Sequence, residues 1–436
     1  MIAYEKVERH GIAGCCFGTL FSGCKKVEQG EQSSASIASH AADAQQEDPT
    51  DPIDDWTRQE TGQKSVVVGK VSGEAGTTPA DSTTTASSKE VDALLKQMTL
   101  QEKIYQMFLV TPEAITGVDT VVQAGDATKA ALQEQPVGGL IYFAANLETQ
   151  SQTKEMLTTT QDYAKASSNG IGLWLAVDEE GGTVARVADQ LGTTAFSDMS
   201  VYGAENDSTQ AYSIGQTIGT DIHGLGFNLD FAPVADVDIC SENELGGRIF
   251  SDDPNVVANM VSNVVKGLQN SGVSATLKHF PGLGAENGNS HYDGAVRIDR
   301  SLEELRSTEF IPFSAGIEAG VDFVMVGHQI MTEVDADTPS DLSHAVVTDL
   351  LKQELGFKGL AITDAQNMNT ISANYSSGEA AVLAIQAGID IVLMPVNLTE
   401  AVEGVYQAVQ DGTISEERID ESVQKILLQK QRAGLL

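Results

Sequence analysis

The chain has 436 residues, room for one large domain or two to three average ones, and 41% of them are hydrophobic, enough for a sizeable core. Its 62 Asp plus Glu against 26 Lys plus Arg give a formal charge of −36, which a phosphate backbone would repel, so no nucleic-acid partner is expected. No apolar run reaches the ~18 residues of a spanning helix, so membrane contact is expected only through a lipid anchor.

Gly11 to Gly23 is mildly apolar and ends in Leu20-Phe21-Ser22-Gly23-Cys24. Small residues before a cysteine suit a lipoprotein signal, with Cys24 lipidated after cleavage. Phe21 departs from the usual aliphatic residue, and Glu5 and Glu8 offset Lys6 and Arg9. Residues 1–24 are read as this signal, which places the protein on the outer face of a bacterial membrane, or secreted. The competing reading makes Cys15, Cys16 and Cys24 incidental to a disordered leader. Only Cys240 lies further on, so the folded part can hold no disulfide of its own.

Residues 25–88 are rich in Ser, Thr, Gly and acids and nearly free of periodic apolar residues. They cannot bury enough surface to offset ordering entropy and are read as a flexible spacer. Order is expected over 89–436. Thr99-Leu100-Gln101-Glu102 forms a capping box that opens a helix. Eight short apolar runs follow: Met107–Val110, Gly139–Phe143, Leu173–Val177, Phe227–Phe231, Ala275–His279, Phe323–Gly327, Leu360–Thr363 and Ile389–Met394. The first could equally be the end of the capped helix. Most are continuous where a one-sided antiparallel strand would alternate, as parallel strands buried on both faces require. Helical periodicity fills the gaps, for example Ser343 to Leu355 and Gly378 to Gly388, and Ser415 to about Gly434 closes the chain. The alternation predicts an α/β fold, a (β/α)8 TIM barrel; no Gly-x-Gly-x-x-Gly supports the open doubly wound alternative.

Barrel enzymes carry their chemistry at the C-terminal ends of the strands. The third run ends in Asp178-Glu179-Glu180-Gly181-Gly182 with Arg186 beyond. The fourth leads through Asp230 and Asp236 to Arg248, the fifth supplies Lys278 and His279, the sixth His328 and the seventh Asp364. One such residue could cap a helix, and Lys278-His279 alone could be a structural pair. Five consecutive charged strand ends predict a polar rim suited to sugar hydroxyls. No metal-ligand spacing and no phosphate-cradling loop is visible, so neither metal nor cofactor is expected.

From about residue 88 to the end the chain resembles glycoside hydrolase family 3, in its single-domain β-N-acetylhexosaminidase branch. The motifs that carry this run in order: Met98-Thr99-Leu100-Gln101-Glu102-Lys103-Ile104, Val177-Asp178-Glu179-Glu180-Gly181-Gly182-Thr183-Val184-Ala185-Arg186, Phe231-Ala232-Pro233-Val234-Ala235-Asp236-Val237, Gly246-Gly247-Arg248-Ile249-Phe250, Lys278-His279-Phe280-Pro281-Gly282, and Leu355-Gly356-Phe357-Lys358-Gly359 leading to Thr363-Asp364-Ala365. The resemblance implies a retaining double displacement. Asp364 would be the nucleophile, and His291 would be the acid/base. Asp178, Arg186, Arg248, Lys278, His279 and, by its strand-end position, His328 would hold the sugar. Gly181-Gly182 would allow close backbone approach, and Pro281-Gly282 would turn into the catalytic loop. Two positions depart from the family: Leu283 replaces a histidine, and Asn289 replaces the aspartate that pairs with the acid/base. An amide can orient His291 but cannot offset its charge, so His291 should be a weaker base, with Glu286 or Asp293 as substitute carboxylates. The expected activity is exo-β-N-acetylglucosaminidase, on amino-sugar oligosaccharides or peptidoglycan fragments, by a monomer. The alternatives are a β-glucosidase, a phosphorylase, or a sugar-binding surface lipoprotein that has lost catalysis.

Overall fold

The computed structural model describes residues 83–286 and 295–436. The expected signal with Cys24, the spacer as far as residue 82, and Asn289, His291 and Asp293 lie outside the described residues. The first helix, Thr83–Leu95, reaches back into the segment read as spacer.

Thr99 caps the helix Leu100–Gln106 as its sequence predicts: its hydroxyl accepts from the Glu102 amide, and the Glu102 carboxylate accepts from the Thr99 amide at 2.7 Å. The helix stops at Met107, and β1 (Phe108–Val110) follows at once. The first apolar run is thus a helix end joined to a strand. The remaining barrel strands are β2 (Gly139–Ile141), β3 (Trp174–Val177), β4 (Leu229–Asp230), β5 (Ser274–Phe280), β6 (Phe323–Val326), β7 (Leu360–Thr363) and β8 (Val392–Leu393). All pair in parallel, each with its sequence neighbours, and β8 returns to β1 through Phe108 opposite Val392. A bridge between Ile362 and Ile391 joins β7 to β8. The sheet therefore closes on itself, which excludes the open doubly wound sheet.

The strands are buried on both faces because side chains fill the interior and helices cover the outside. Trp174 on β3 and Phe323 on β6 lie on strands that do not pair, yet their rings meet edge to face at 5.1 Å. That contact plugs the barrel near the strand starts. Ser376 and Glu379 form another capping box on the helix Ser377–Ala387, which Gly388 ends in the left-handed region. Ser415 caps the closing helix Glu416–Arg432. The segment expected to be an α-helix from Ser343 to Leu355 instead winds in wider π-type turns over Ala345–Glu354, with the Leu355 amide donating to the Leu350 carbonyl. Thr348 and Lys352 donate from it to the carbonyls of Ala387 and Gly388, so tertiary anchors accompany a winding that apolar spacing does not encode. Among the described residues no helix is long and apolar enough to cross a membrane.

Candidate active site

The strand ends converge on one cavity. Asp178, Arg186, Arg248, Lys278, His279 and Asp364 all line it. These residues come from five different elements, and only barrel closure brings them together. No bound sugar is needed to see the arrangement, because the protein pairs the charges internally.

Asp178 follows β3. Its carboxylate accepts from Lys278 Nζ at 2.8 Å and lies 3.6 Å from Arg186 Nε. The Arg186 guanidinium also lies 5.0 Å from the centre of the Phe143 ring, a cation–π contact that orients it. Glu180 sits one layer deeper. It receives a fork from Arg248, with Nε and Nη2 each at 2.8 Å, and Lys278 Nζ lies 2.6 Å from the same carboxylate. Burial pushes Glu180 up, but the Arg248 and Lys278 charges outweigh it and hold the carboxyl at about 2. The same contacts raise Lys278 and Arg248 against the downward pull of burial, so both stay cationic.

Glu180 is the middle residue of the first strand in a hairpin, Glu179–Gly181 with Val184–Ala185, which alternating apolarity does not reveal. Gly181 and Gly182 make its turn at φ 85° and 62°, and a Cβ on Gly182 would sit 2.6 Å from Asp198 Oδ1. The close neighbour that demands glycine there is thus Asp198. Beneath lies an acid pair. Burial pushes Glu179 to about 7 although it accepts the Val187 and Ala188 amides, and burial likewise holds Asp230 well above the usual range.

Asp236, after β4, organises the next part of the rim. Oδ2 accepts the His279 amide at 3.0 Å and faces His279 Nδ1 at 2.8 Å, and Oδ1 accepts the Leu283 amide at 2.6 Å. A carboxylate opposite Nδ1 makes that nitrogen the donor, so a neutral His279 keeps Nε2 as an acceptor for a guest. One side chain thereby fixes a ring tautomer and the start of the loop after β5. Gly282 turns that loop at φ 136° against Glu309, which pairs with Arg300 at 2.9 Å.

Leu283, where the family pattern has a histidine, lines the cavity as an apolar wall. Glu286 is partly exposed just before the undescribed segment.

The other side of the cavity is different. Asp364 follows β7, its Oδ1 accepting the Ala365 amide at 2.8 Å, and Met325, Met368, Leu393 and Met394 line the wall around it. His328 does not face the cavity, contrary to the expectation from its strand-end position. It is 2% exposed and turns behind Asp364, with Nδ1 3.1 Å from Asp341 Oδ1. Sequence reasoning assigned no role to Glu180, Asp236 or Asp341. The first two stand within quoted motifs next to strand ends, which is a signal that was there to use. Asp341 lies in a turn with no comparable pattern. Among the described residues no group of three His, Cys, Asp or Glu could hold a metal.

Comparison with known proteins agrees with this geometry. The model of the glycosyl hydrolase family 3 N-terminal domain matches residues 99–428. Beta-hexosaminidase A of Pseudoalteromonas piscicida is 29% identical over 315 residues, covering 66% of this chain and 52% of that protein. Beta-hexosaminidase of Stenotrophomonas maltophilia strain K279a is 33% identical over 293 residues, covering 65% of this chain and 83% of that one. The solved structure of a glycoside hydrolase family 3 beta-N-acetylglucosaminidase from Paenibacillus sp. FPU-7 superposes with a TM-score of 0.72 at 35% identity, covering 78% of this chain and 63% of that chain. The chain thus spans about half the length of the Pseudoalteromonas protein and less than two thirds of the Paenibacillus one. Closed barrel, strand-end charges and a family match over most of its length together make this chain a member of glycoside hydrolase family 3.

Proposed function

We propose that the protein is a retaining exo-β-N-acetylglucosaminidase acting on amino-sugar oligosaccharides. The observation that carries this reading is Asp364 lining the same cavity as a preassembled set of paired charges. Asp178, Arg186, Arg248, Lys278 and His279 hold the hydroxyls of the terminal sugar, and their internal pairs keep each group in place before binding. Asp364 attacks the anomeric carbon to give a glycosyl ester, and water then releases the sugar. By its place in the motif, His291 protonates the leaving oxygen and later activates water, with Asn289 orienting it. The beta-N-acetylglucosaminidase and beta-hexosaminidase names of the relatives support the amino-sugar preference.

The test is release of nitrophenol from its β-N-acetylglucosaminide, beside the β-glucoside, with and without phosphate. Turnover of the amino sugar that Asp364→Asn abolishes supports the reading. A phosphate-dependent sugar 1-phosphate indicates phosphorolysis, and binding without turnover indicates a sugar-binding protein. The motif at Leu20 to Cys24 and the polar spacer after it further support anchoring at a membrane's outer face, where peptidoglycan fragments are the available substrate. Labelled palmitate incorporated by the wild type and lost in Cys24→Ala checks the anchor.

A further inference from the structure

His328 and Asp341 form a completely buried pair that touches neither the cavity nor solvent, with both side chains 0% exposed. Each ring nitrogen of His328 faces an acceptor: Nδ1 lies 3.1 Å from Asp341 Oδ1, and Nε2 lies 2.9 Å from the Ala365 carbonyl oxygen. The Nδ1 contact is a buried ion-pair distance without hydrogen-bond alignment, so protonation of the ring both answers the Asp341 charge and leaves Nε2–H to donate to Ala365. Burial alone would pull His328 down, but the Asp341 charge 3.1 Å away, with the Asp364 charge and the Ala365 carbonyl, outweighs it and places it at about 9.

The acceptors are held from three sides. The turn Ser340–Leu342 that carries Asp341 is tied to the end of β6, since the Asp341 amide donates to the Gly327 carbonyl at 3.2 Å. The Asp364 amide donates to the Val326 carbonyl at 2.9 Å, and the Gln366 amide donates to the Leu393 carbonyl at 3.0 Å. Ala365 is therefore gripped at both ends: its amide donates to Asp364 Oδ1 and its carbonyl accepts from His328. The charged groups facing the ring are Asp341 from the turn and Asp364 from β7. Tyr375 faces Asp341, and burial, then the Asp341 and Asp335 charges, push its phenol up, so it stays neutral.

We propose that His328 is a positioning residue for Asp364: a buried imidazolium, kept charged by Asp341, that fixes the Ala365 peptide and favours the ionised nucleophile. The proposal rests on the reading of Asp364 as nucleophile. The imidazolium favours the free carboxylate over its protonated form, and equally over the glycosyl ester. It therefore keeps Asp364 ready to attack at mildly acid pH, and it stabilises the carboxylate as it departs in the second displacement.

Two variants separate charge from geometry. In Asp341→Asn the ring loses its counter-charge and becomes neutral, yet its remaining N–H can still donate to Ala365. We expect KM within about threefold of wild type and the acid limb of kcat/KM moved up by about one unit, the size of effect a neighbouring charge has on a carboxylate. His328→Leu loses the hydrogen bond as well and should lower kcat by about 10- to 100-fold, the loss typical of an orienting partner. A readout on the wild type guards against a variant that fails to fold. In 15N-histidine NMR, one ring should keep both N–H protons at pH 7.5. A single neutral tautomer for every buried ring overturns the proposal. So does an Asp341→Asn enzyme that loses thermal stability while its acid limb stays in place and Asp364→Asn is inactive. If Asp364→Asn still turns over, the nucleophile assignment fails instead, and the pair's role falls with it.

Discussion

The rim of the barrel has two halves built on opposite principles. Around β3 to β5, polar groups are answered before any substrate arrives: Lys278 by Asp178 and Glu180, Arg248 by Glu180, and the His279 ring by Asp236. Around β7 and β8, Asp364 shares the cavity wall with Met368, Leu393 and Met394, and buried His328 lies behind it. Holding a sugar requires many fixed donors and acceptors, and saturating them with each other removes the reorganisation cost at binding. Attack requires one carboxylate aimed at one carbon. The two histidines show the same division in miniature. Each faces an aspartate through Nδ1, but His279 lines the cavity, whereas His328 Nε2 is committed to a backbone carbonyl. The third partner, more than the pair itself, decides whether such a histidine binds or positions.

Substitutions can break the two halves separately. Asp364→Asn should cost most, about 10³- to 10⁵-fold in kcat with little change in KM, measured with the nitrophenyl amino sugar. Glu180→Gln strikes the other half at its buried hub. Leaving Arg248 and Lys278 undercompensated should destabilise the fold by about 3–5 kcal/mol in denaturant melts and raise KM. Its pH signature has a definite sign. The folded carboxyl titrates at about 2 against an unfolded value near ~4.3, so its stabilisation is present above the unfolded value and fades as pH falls toward 2. Wild type should therefore lose stability across that acid window, and Glu180→Gln should lack this component of the loss. Asp236→Ala should weaken sugar binding by roughly 10- to 100-fold, because it frees the His279 ring and the Leu283 amide together. An unchanged KM would show that His279 needs no tether.

The smallest effect serves as a control at a distance. Lys430, on the closing helix, is completely buried and donates only to Gln106 Oε1 at 2.8 Å, and burial pulls it down to about 7. Between about 7 and the ordinary lysine value near ~10.4 the unfolded chain binds more protons than the fold, so this group makes stability rise with pH there. Lys430→Met should flatten that rise and lift Tm by a few degrees at pH 7, offset in part by the unpaired Gln106. Activity should not move, since neither half of the rim is touched.

Much of this was legible in the residues. Eight continuous apolar runs became eight parallel strands because a strand buried on both faces has no polar face to reveal. Thr99 announced its helix because a cap acts within three residues of itself. Strand-end position also brought Asp178, Arg186, Arg248, Lys278, His279 and Asp364 to one cavity, since barrel geometry turns a place in sequence into a place in space. The same rule misplaced His328, because it states where a residue stands and says nothing of which way its side chain turns. That direction depended on Asp341, thirteen residues on in a patternless turn, and on the Ala365 carbonyl from the next strand. Lys278 likewise meets an aspartate 100 residues away, and Glu180 meets Arg248 68 residues away. Apolar periodicity and capping are local and were set by the sequence itself. The pairing of buried charges, the π-type winding and the tautomer of His279 were decided only once closure brought distant side chains within hydrogen-bonding reach, where an unmet partner is too costly to leave.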